Sequence, residues 1–202
     1  MRKIVAGLFI SLDGVVEAPS QWGFQYMTAE MSKGISAGIS QADTVLLGRK
    51  TYLEFSQIWP RQGSEVPMAD FLNKSPKFVV SSTLDQLDWK PASRISGDLV
   101  AELSNLKLQP GGNIQVPGSP TLVRFLMQHN LLDMLSLSIC PIVVGVGMRL
   151  FDQSLPTVKL NLIHSSILDN GVIGATYQPL PGGPQAASPS ISFPQAAVRK
   201  QP

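Results

Sequence analysis

Asn113–Leu126 reads Asn-Ile-Gln-Val-Pro-Gly-Ser-Pro-Thr-Leu-Val-Arg-Phe-Leu, and this stretch decides the fold. Ile114 and Val116 alternate as strand residues do. Gly118 permits a positive φ or the close approach of a ligand to the backbone. Ser119 suits an N-cap, and Pro120 suits the first helical position, where its missing N–H costs nothing. Leu122, Val123, Leu126 and Met127 then repeat at helical spacing. The stretch therefore predicts a strand, a tight turn and a helix start. A helix N-terminus behind a glycine offers free N–H groups and partial positive charge, which suit a phosphate. A plain strand–turn–helix joint explains the same residues, so both readings stay open at this point.

The same alternation recurs on either side. Lys3–Ser11 is a near-continuous apolar run and predicts a strand covered on both faces. Gly7 within it predicts close approach of another group. Asp13-Gly14 then signals a turn. Residues 15–27 lack periodicity and carry Trp22, Phe24 and Tyr26, which either pack over the core or line a pocket. Thr28 caps a predicted helix reaching about Gln41, with Met31, Ile35 and Ile39 on one stripe. Glu30 lies in its first turn, where it complements the helix dipole. Asp43–Gly48 is a second buried strand, running into Arg49-Lys50-Thr51. Met68–Asn73 predicts a short helix and Lys77–Ser81 a third strand, followed by Ser82 and Thr83. Asp98–Leu108 predicts a helix closed by Pro110-Gly111-Gly112. Met134–Ile139 alternates, Pro141 interrupts, and Ile142–Val144 continues the strand. Leu160–Leu168 and Val172–Gln178 flank Asp169-Asn170-Gly171, a hairpin signal. The pattern predicts an α/β fold with a central, mostly parallel sheet flanked by helices and a C-terminal antiparallel hairpin. Residues 1–180 form the expected domain. Pro181–Pro202 is proline-rich, holds no acid, and reads as a flexible tail.

Composition narrows the function. The 202 residues carry 16 basic and 14 acidic side chains, a net charge of +2. That balance gives no electrostatic footprint for nucleic acid or an anionic membrane. Cys140 is the single cysteine, which excludes an intramolecular disulfide and a multi-cysteine metal site. His129 and His164 lie far apart in sequence, which argues against a zinc cluster, and no metal is expected. No run approaches the ~18 apolar residues of a membrane span. Arg2-Lys3 before Ile4–Ile10 looks like a weak signal start, but Asp13 follows at once and no small-residue cleavage site appears. A soluble cytoplasmic protein is the expectation.

In a parallel sheet, ligands collect at the carboxyl ends of the strands. Here those ends carry Gly48-Arg49-Lys50-Thr51, Ser81-Ser82-Thr83 and Gly118-Ser119-Pro120-Thr121. Each offers phosphate-compatible groups. Separated anion sites suit a ligand with several phosphates, such as an adenine dinucleotide bearing a 2′-phosphate. The pyrophosphate would lie on the glycine turn and the 2′-phosphate on Arg49 and the hydroxyls. Neither a Gly-x-Gly-x-x-Gly fingerprint nor a Walker A sequence is present.

These motifs resemble the dihydrofolate-reductase fold: Gly48-Arg-Lys-Thr-Tyr52 after one strand, Ser81-Ser-Thr83 after the next, and Val116-Pro-Gly-Ser-Pro-Thr-Leu122 before a helix. The resemblance is closer to the branch related to the reductase domain of the riboflavin-biosynthesis deaminase/reductase. Gly7-Leu-Phe-Ile-Ser-Leu-Asp-Gly14 and Pro141-Ile-Val-Val-Gly-Val-Gly-Met-Arg-Leu-Phe151 are typical of it. The resemblance covers roughly residues 2–179. It implies NADPH as hydride donor, with Arg49, Thr51, Ser81, Ser82 and Thr83 on the 2′-phosphate side and Gly48 among the cofactor-binding residues. Gly118, Ser119, Pro120, Thr121 and Leu122 would then bind the pyrophosphate and its neighbours. Asp13 matches the Asp of the Ser-Leu-Asp-Gly motif beside nicotinamide and substrate, and Glu30 falls in the helix that carries the acidic substrate anchor of dihydrofolate reductases. A homodimer is also implied. The His-x-Glu and Pro-Cys-x-x-Cys zinc motifs of a riboflavin deaminase are absent, leaving a stand-alone reductase-like domain.

The expected activity is NADPH-dependent reduction of a small heterocyclic, pterin- or pyrimidine-like substrate, with Asp13 and Glu30 as the catalytic candidates. A carboxyl group in an aromatic pocket has its pKa raised and can relay a proton; Trp22, Phe24 and Tyr26 would supply that lining. One alternative is the ribosylamino-pyrimidine reductase of riboflavin synthesis. The other is a non-catalytic nucleotide-binding or oligomeric module.

Overall fold

The computed structural model describes residues 1–180 apart from Pro67 and Ser154, so the expected tail lies outside the described residues. Eight strands form one sheet: β1 (Ile4–Ser11), β2 (Ala42–Gly48), β3 (Lys77–Val80), β4 (Ala92–Ile95), β5 (Asn113–Val116), β6 (Met134–Cys140), β7 (Leu160–Ile167) and β8 (Ile173–Pro179). The helices are α1 (Pro19–Trp22), α2 (Ala29–Ile39), α3 (Arg49–Ile58), α4 (Ala69–Lys74), α5 (Leu99–Leu108) and α6 (Pro120–Gln128). The sheet order is β4-β3-β2-β5-β1-β6-β8-β7. Strands β1 to β6 run parallel, β8 runs antiparallel to β6, and β7 runs antiparallel to β8. The expected α/β architecture with its C-terminal hairpin is present.

Residue alternation builds the two faces. Leu46 packs with Ile4, Ile114, Val123 and Leu126 on one side of the sheet. Its neighbours Val45 and Leu47 pack with Tyr52, Leu72, Val79 and Trp89 on the other. Successive strand side chains point to opposite faces, so β2 reads as one apolar run because both faces are covered. The close approach expected at Gly7 comes from within the sheet: a Cβ there would meet Gln115 Nε2 at 3.0 Å. Strand β5 lies between β1 and β2, which sets the starts of α3 and α6 side by side at the carboxyl edge.

Several expectations need correction. Strand β4, Ala-Ser-Arg-Ile, escaped the periodicity reading, because it is short and carries one large apolar residue. Residues 15–27 contain α1 and a single 3₁₀ turn, Phe24–Tyr26. Ile142–Val144 does not continue β6. The chain turns after Pro141, and the Ile142 carbonyl accepts from Leu12 N on the β1 turn instead. No described helix is long and apolar enough to cross a membrane.

One buried cation gives the fold a pH signature. Lys77 is 1% exposed, donates to the carbonyls of Asn73 and Ser75, and sits 4.5 Å over the Trp89 ring. Burial pushes its ammonium down to about 8. Between that value and the ordinary 10.5 the unfolded chain binds more protons than the folded one, so this group makes stability rise with pH across that window. Denaturant unfolding of wild type and Lys77→Met should show this rise in the difference between them. A pH-independent difference would contradict the assignment.

Candidate active site

Two helix N-termini meet at the carboxyl edge. Gly48 ends β2 and is the N-cap of α3; Ser119 follows the Pro117-Gly118 turn and is the N-cap of α6. Neither N-cap closes its helix with a side-chain hydrogen bond. The contrast lies within the same chain. Thr28 accepts from Met31 N at the start of α2, and Asp98 accepts from Val100 N and Ala101 N at the start of α5. The first-turn N–H groups of α3 and α6 are thus left without a side-chain acceptor, as an anion site requires.

The two turns interlock. A Cβ on Gly48 would lie 2.2 Å from Ser119 Oγ, and a Cβ on Gly118 would lie 3.0 Å from Thr51 Oγ1. Gly118 has φ +153°, a conformation that glycine tolerates, and the Gly118–Ser119 peptide is cis. Thr51 is buried beneath this turn, so its side chain supports the turn from below. Leu122 is buried in the main core, which leaves its backbone N–H as the group it can offer. Pro120 offers no N–H, and Thr121 is exposed.

From the start of α3 the surface continues into a cleft of about 370 Å³. Arg49, Ser81, Ser82 and Thr83 line it together, as the sequence predicts. Arg49, Ser82 and Thr83 are exposed. Ser81 is buried, and its Oγ accepts from Thr83 N at 3.2 Å and Leu84 N at 3.0 Å, so it shapes the turn. Ser96 and Gly97, between β4 and the Asp98 cap, complete the cleft. A larger hollow of about 500 Å³, near Asp43, Asp70 and Lys74, lies at the amino ends of β2 and β3. Asp70 and Lys74 pair with each other there at 3.0 Å.

The carboxylate and aromatic candidates fare differently. Asp13 Oδ1 accepts from Ser11 Oγ at 2.7 Å and Val144 N at 3.0 Å; Oδ2 accepts from Gly145 N at 2.8 Å. The Ser11 hydroxyl, followed by these backbone N–H groups, holds its pKa far below the ordinary carboxylate value. The expected upward shift is therefore reversed, because the carboxylate faces donors instead of an apolar wall. Glu30 is exposed in the first turn of α2, and its side chain makes no hydrogen bond or ion pair among the described residues. No hydrogen bond or ion pair joins Asp13 to Glu30. Trp22 is 8% exposed and packs with Met31, Cys140 and Val172, while its Nε1 donates to Glu17 O. Most of its surface is spent on this packing. Tyr26 packs against the same cluster. Phe24 is 49% exposed and tilts against Phe9 at 5.7 Å.

A sequence profile for the RibD C-terminal domain matches residues 2–173. The chain belongs to the RibD C-terminal domain family. Among its relatives, protein YyaP of Bacillus subtilis is 27% identical over 179 residues, covering 87% of this chain and 94% of YyaP. A putative riboflavin biosynthesis protein from Shewanella sp. PV-4 has a similar structure, with TM-score 0.73, 20% identity, 90% of this chain and 100% of that chain covered. Dihydrofolate reductase from Enterococcus faecalis, solved with NADP(H), matches with TM-score 0.58 and 15% identity, covering 88% and 96% of the two chains. At these identities the two solved structures establish the shared fold.

This RibD C-terminal domain thus brings Gly48, Arg49, Thr51, Ser81, Ser82, Thr83 and the Gly118 turn onto one edge of the sheet. It sends Trp22 into packing and leaves Asp13 and Glu30 unlinked by any hydrogen bond or ion pair. Ser96 and Gly97 belong to no motif in the sequence; strand β4, which directly precedes them, is the feature that places them at the cleft.

Proposed function

We propose that this RibD C-terminal domain is an NADPH-dependent reductase of a small pterin- or pyrimidine-like heterocycle. The observation that carries the reading is the pair of adjoining helix N-termini without side-chain caps, continuous with the Arg49 cleft. Those donors fit the group: N–H pairs suit a pyrophosphate, and a guanidinium beside hydroxyls suits a 2′-phosphate. The first turns of α3 and α6 would hold the pyrophosphate. Arg49, Ser82, Thr83 and the Ser96-Gly97 backbone would hold the phosphorylated ribose. When bound, the nicotinamide supplies a hydride equivalent to an electrophilic carbon of the heterocycle. The Gly118 turn would fix the dinucleotide along the edge, and Phe24 would offer an open aromatic face to a flat substrate. The atom next to the reduced carbon needs a proton. Asp13, held ionised by its donors, has none to give, so water is the source, with Glu30 as the candidate side chain to hold it. Two structural neighbours favour this chemistry: the putative riboflavin biosynthesis protein from Shewanella and the Enterococcus dihydrofolate reductase solved with NADP(H). The ribosylamino-pyrimidine of riboflavin synthesis belongs in the same substrate class.

A second reading, nucleotide binding without turnover, gains from the saturated Asp13 carboxylate. NADPH consumption across a panel of pterins and ribosylamino-pyrimidines tests both. Oxidation with one class is the expected result. Binding of NADPH with no oxidation across the panel would favour the second reading. For assembly we propose a homodimer through β7, one of the two edge strands of the sheet, where Leu162, Ile163 and Ile167 are exposed. The reaction fits a cytoplasmic location.

A further inference from the structure

Residues 142–152 form a strap between the β1 turn and α6. On one side, Leu12 N donates to Ile142 O and Val16 N to Met148 O, each at 2.9 Å. Met148 N donates to Glu17 Oε2, and Leu150 N to Gly14 O. Leu150 is fully buried in the main core and anchors this end. Gly147 presses so close that a Cβ there would meet Val15 Cγ1 at 2.8 Å. On the other side, Thr121 Oγ1 and Arg124 Nη2 each reach Met148 Sδ at 4.0 Å, and Arg124 pairs with Asp152. The strap therefore touches the very helix whose first turn is assigned to the pyrophosphate.

Asp13 fixes the exposed arch of this strap. Val143 and Val146 stand in solvent, while Ile142 and Val144 pack against the Trp22, Met31, Cys140 and Val172 cluster. The backbone at the top of the arch is fixed by the Asp13 carboxylate on Val144 N and Gly145 N, and by Arg149. The guanidinium donates from Nε to Asp13 O at 2.9 Å and from Nη2 to Gly145 O at 3.3 Å. Strands β1 and β6, whose carboxyl ends flank the arch, are neighbours in the sheet.

We propose that Asp13 is a positioning residue: its carboxylate holds the Val144–Gly145 arch as the wall between the α6 turn and the substrate, and Met148 couples that wall to occupancy of α6. The proposal rests on the reductase reading for what occupies the α6 turn. It differs from an acid–base role, because a carboxylate accepting from two backbone N–H groups acts through the loop it holds. Asparagine cannot replace it, since its NH₂ would face a backbone donor.

Amide hydrogen exchange on the full chain, with and without saturating NADPH, tests this. In Asp13→Asn, exchange at Val144 and Gly145 should accelerate at least about tenfold, while Leu8 and Leu137 in β1 and β6 keep their protection. In wild type, NADPH should slow Val144 and Gly145 further, by about threefold or more; in Asp13→Asn that slowing should vanish. Met148→Ala removes the thioether that faces Thr121 and Arg124 and leaves the backbone bonds of the strap in place, so it should keep the protection of the free protein and lose the NADPH effect. Unchanged exchange at Val144 and Gly145 in Asp13→Asn would overturn the proposal, as would acceleration spread through β1 and β6. Equal slowing by NADPH in wild type and Asp13→Asn would also overturn it. NADPH that binds wild type without slowing these amides overturns the proposal alone, whereas no binding to wild type, read by fluorescence, overturns the reductase reading and the proposal together.

Discussion

Replacing Arg49 with alanine is expected to weaken NADPH binding about ten- to one-hundred-fold, the loss of a charge-assisted phosphate contact of roughly 1.5–3 kcal/mol. NADH lacks the 2′-phosphate, so its affinity should hardly change. The variant is a clean probe of the cleft. Arg49 is exposed at the start of α3, and its side chain makes no hydrogen bond or ion pair among the described residues. Truncating such a side chain should leave stability within about 0.5 kcal/mol. The loss should also shrink as salt rises, since the contact is ionic and solvent-facing. Titration of both cofactors against wild type and Arg49→Ala reads the effect. Equal losses for NADPH and NADH would move the 2′-phosphate away from this cleft.

Gly48→Ala should damage stability and dinucleotide binding together. The backbone at Gly48 is extended, φ −76° and ψ 159°, so alanine adopts it without strain. The obstacle is space: the new methyl would sit 2.2 Å from Ser119 Oγ and 3.1 Å from Ser119 Cβ. Rotating the hydroxyl relieves the first contact and leaves the second, so the two helix starts must move apart. Overpacking of this kind costs about 1–3 kcal/mol. The N–H groups that would face the pyrophosphate shift with the turns, and NADPH affinity should fall as well. Ser119→Gly removes both opposing atoms. Ser119 makes no capping hydrogen bond, and glycine at an N-cap costs only a few tenths of a kcal/mol. The double variant Gly48→Ala/Ser119→Gly should therefore recover most of the stability lost by Gly48→Ala. A strictly additive double-mutant cycle would show that the two residues do not oppose each other.

The frame was legible where local chemistry and packing agree. Strands β1 and β2 read as apolar runs because both faces are covered, and α2 and α5 start at Thr28 and Asp98 as their residue types dictate. The Gly118 turn was placed correctly, yet the Ser119 hydroxyl lies against Gly48 and caps nothing; residue type set its position but not its rotamer. Strand β4 was hidden because an edge strand of four residues needs little apolar surface, and Ser96 and Gly97 were hidden with it. The fate of Trp22 depended on Cys140 and Val172, and that of Asp13 on Val144 and Gly145, which follow it by 131 and 132 residues. No local pattern carries contacts of that range. Asp13-Gly14 signalled a turn, and Asp13 does hold backbone, but the backbone of a distant loop.

The central claim is that the edge built from Gly48, Arg49, Ser81–Thr83 and the Gly118 turn holds NADPH. A fluorescence titration of the unmodified full chain with NADPH and with NADH tests it most directly, reading energy transfer from Trp22, Trp59 and Trp89. Saturable NADPH binding at least about tenfold tighter than NADH is the predicted result, the worth of one charge-assisted phosphate contact. Equal affinity for the two cofactors, or no binding of either, would contradict it.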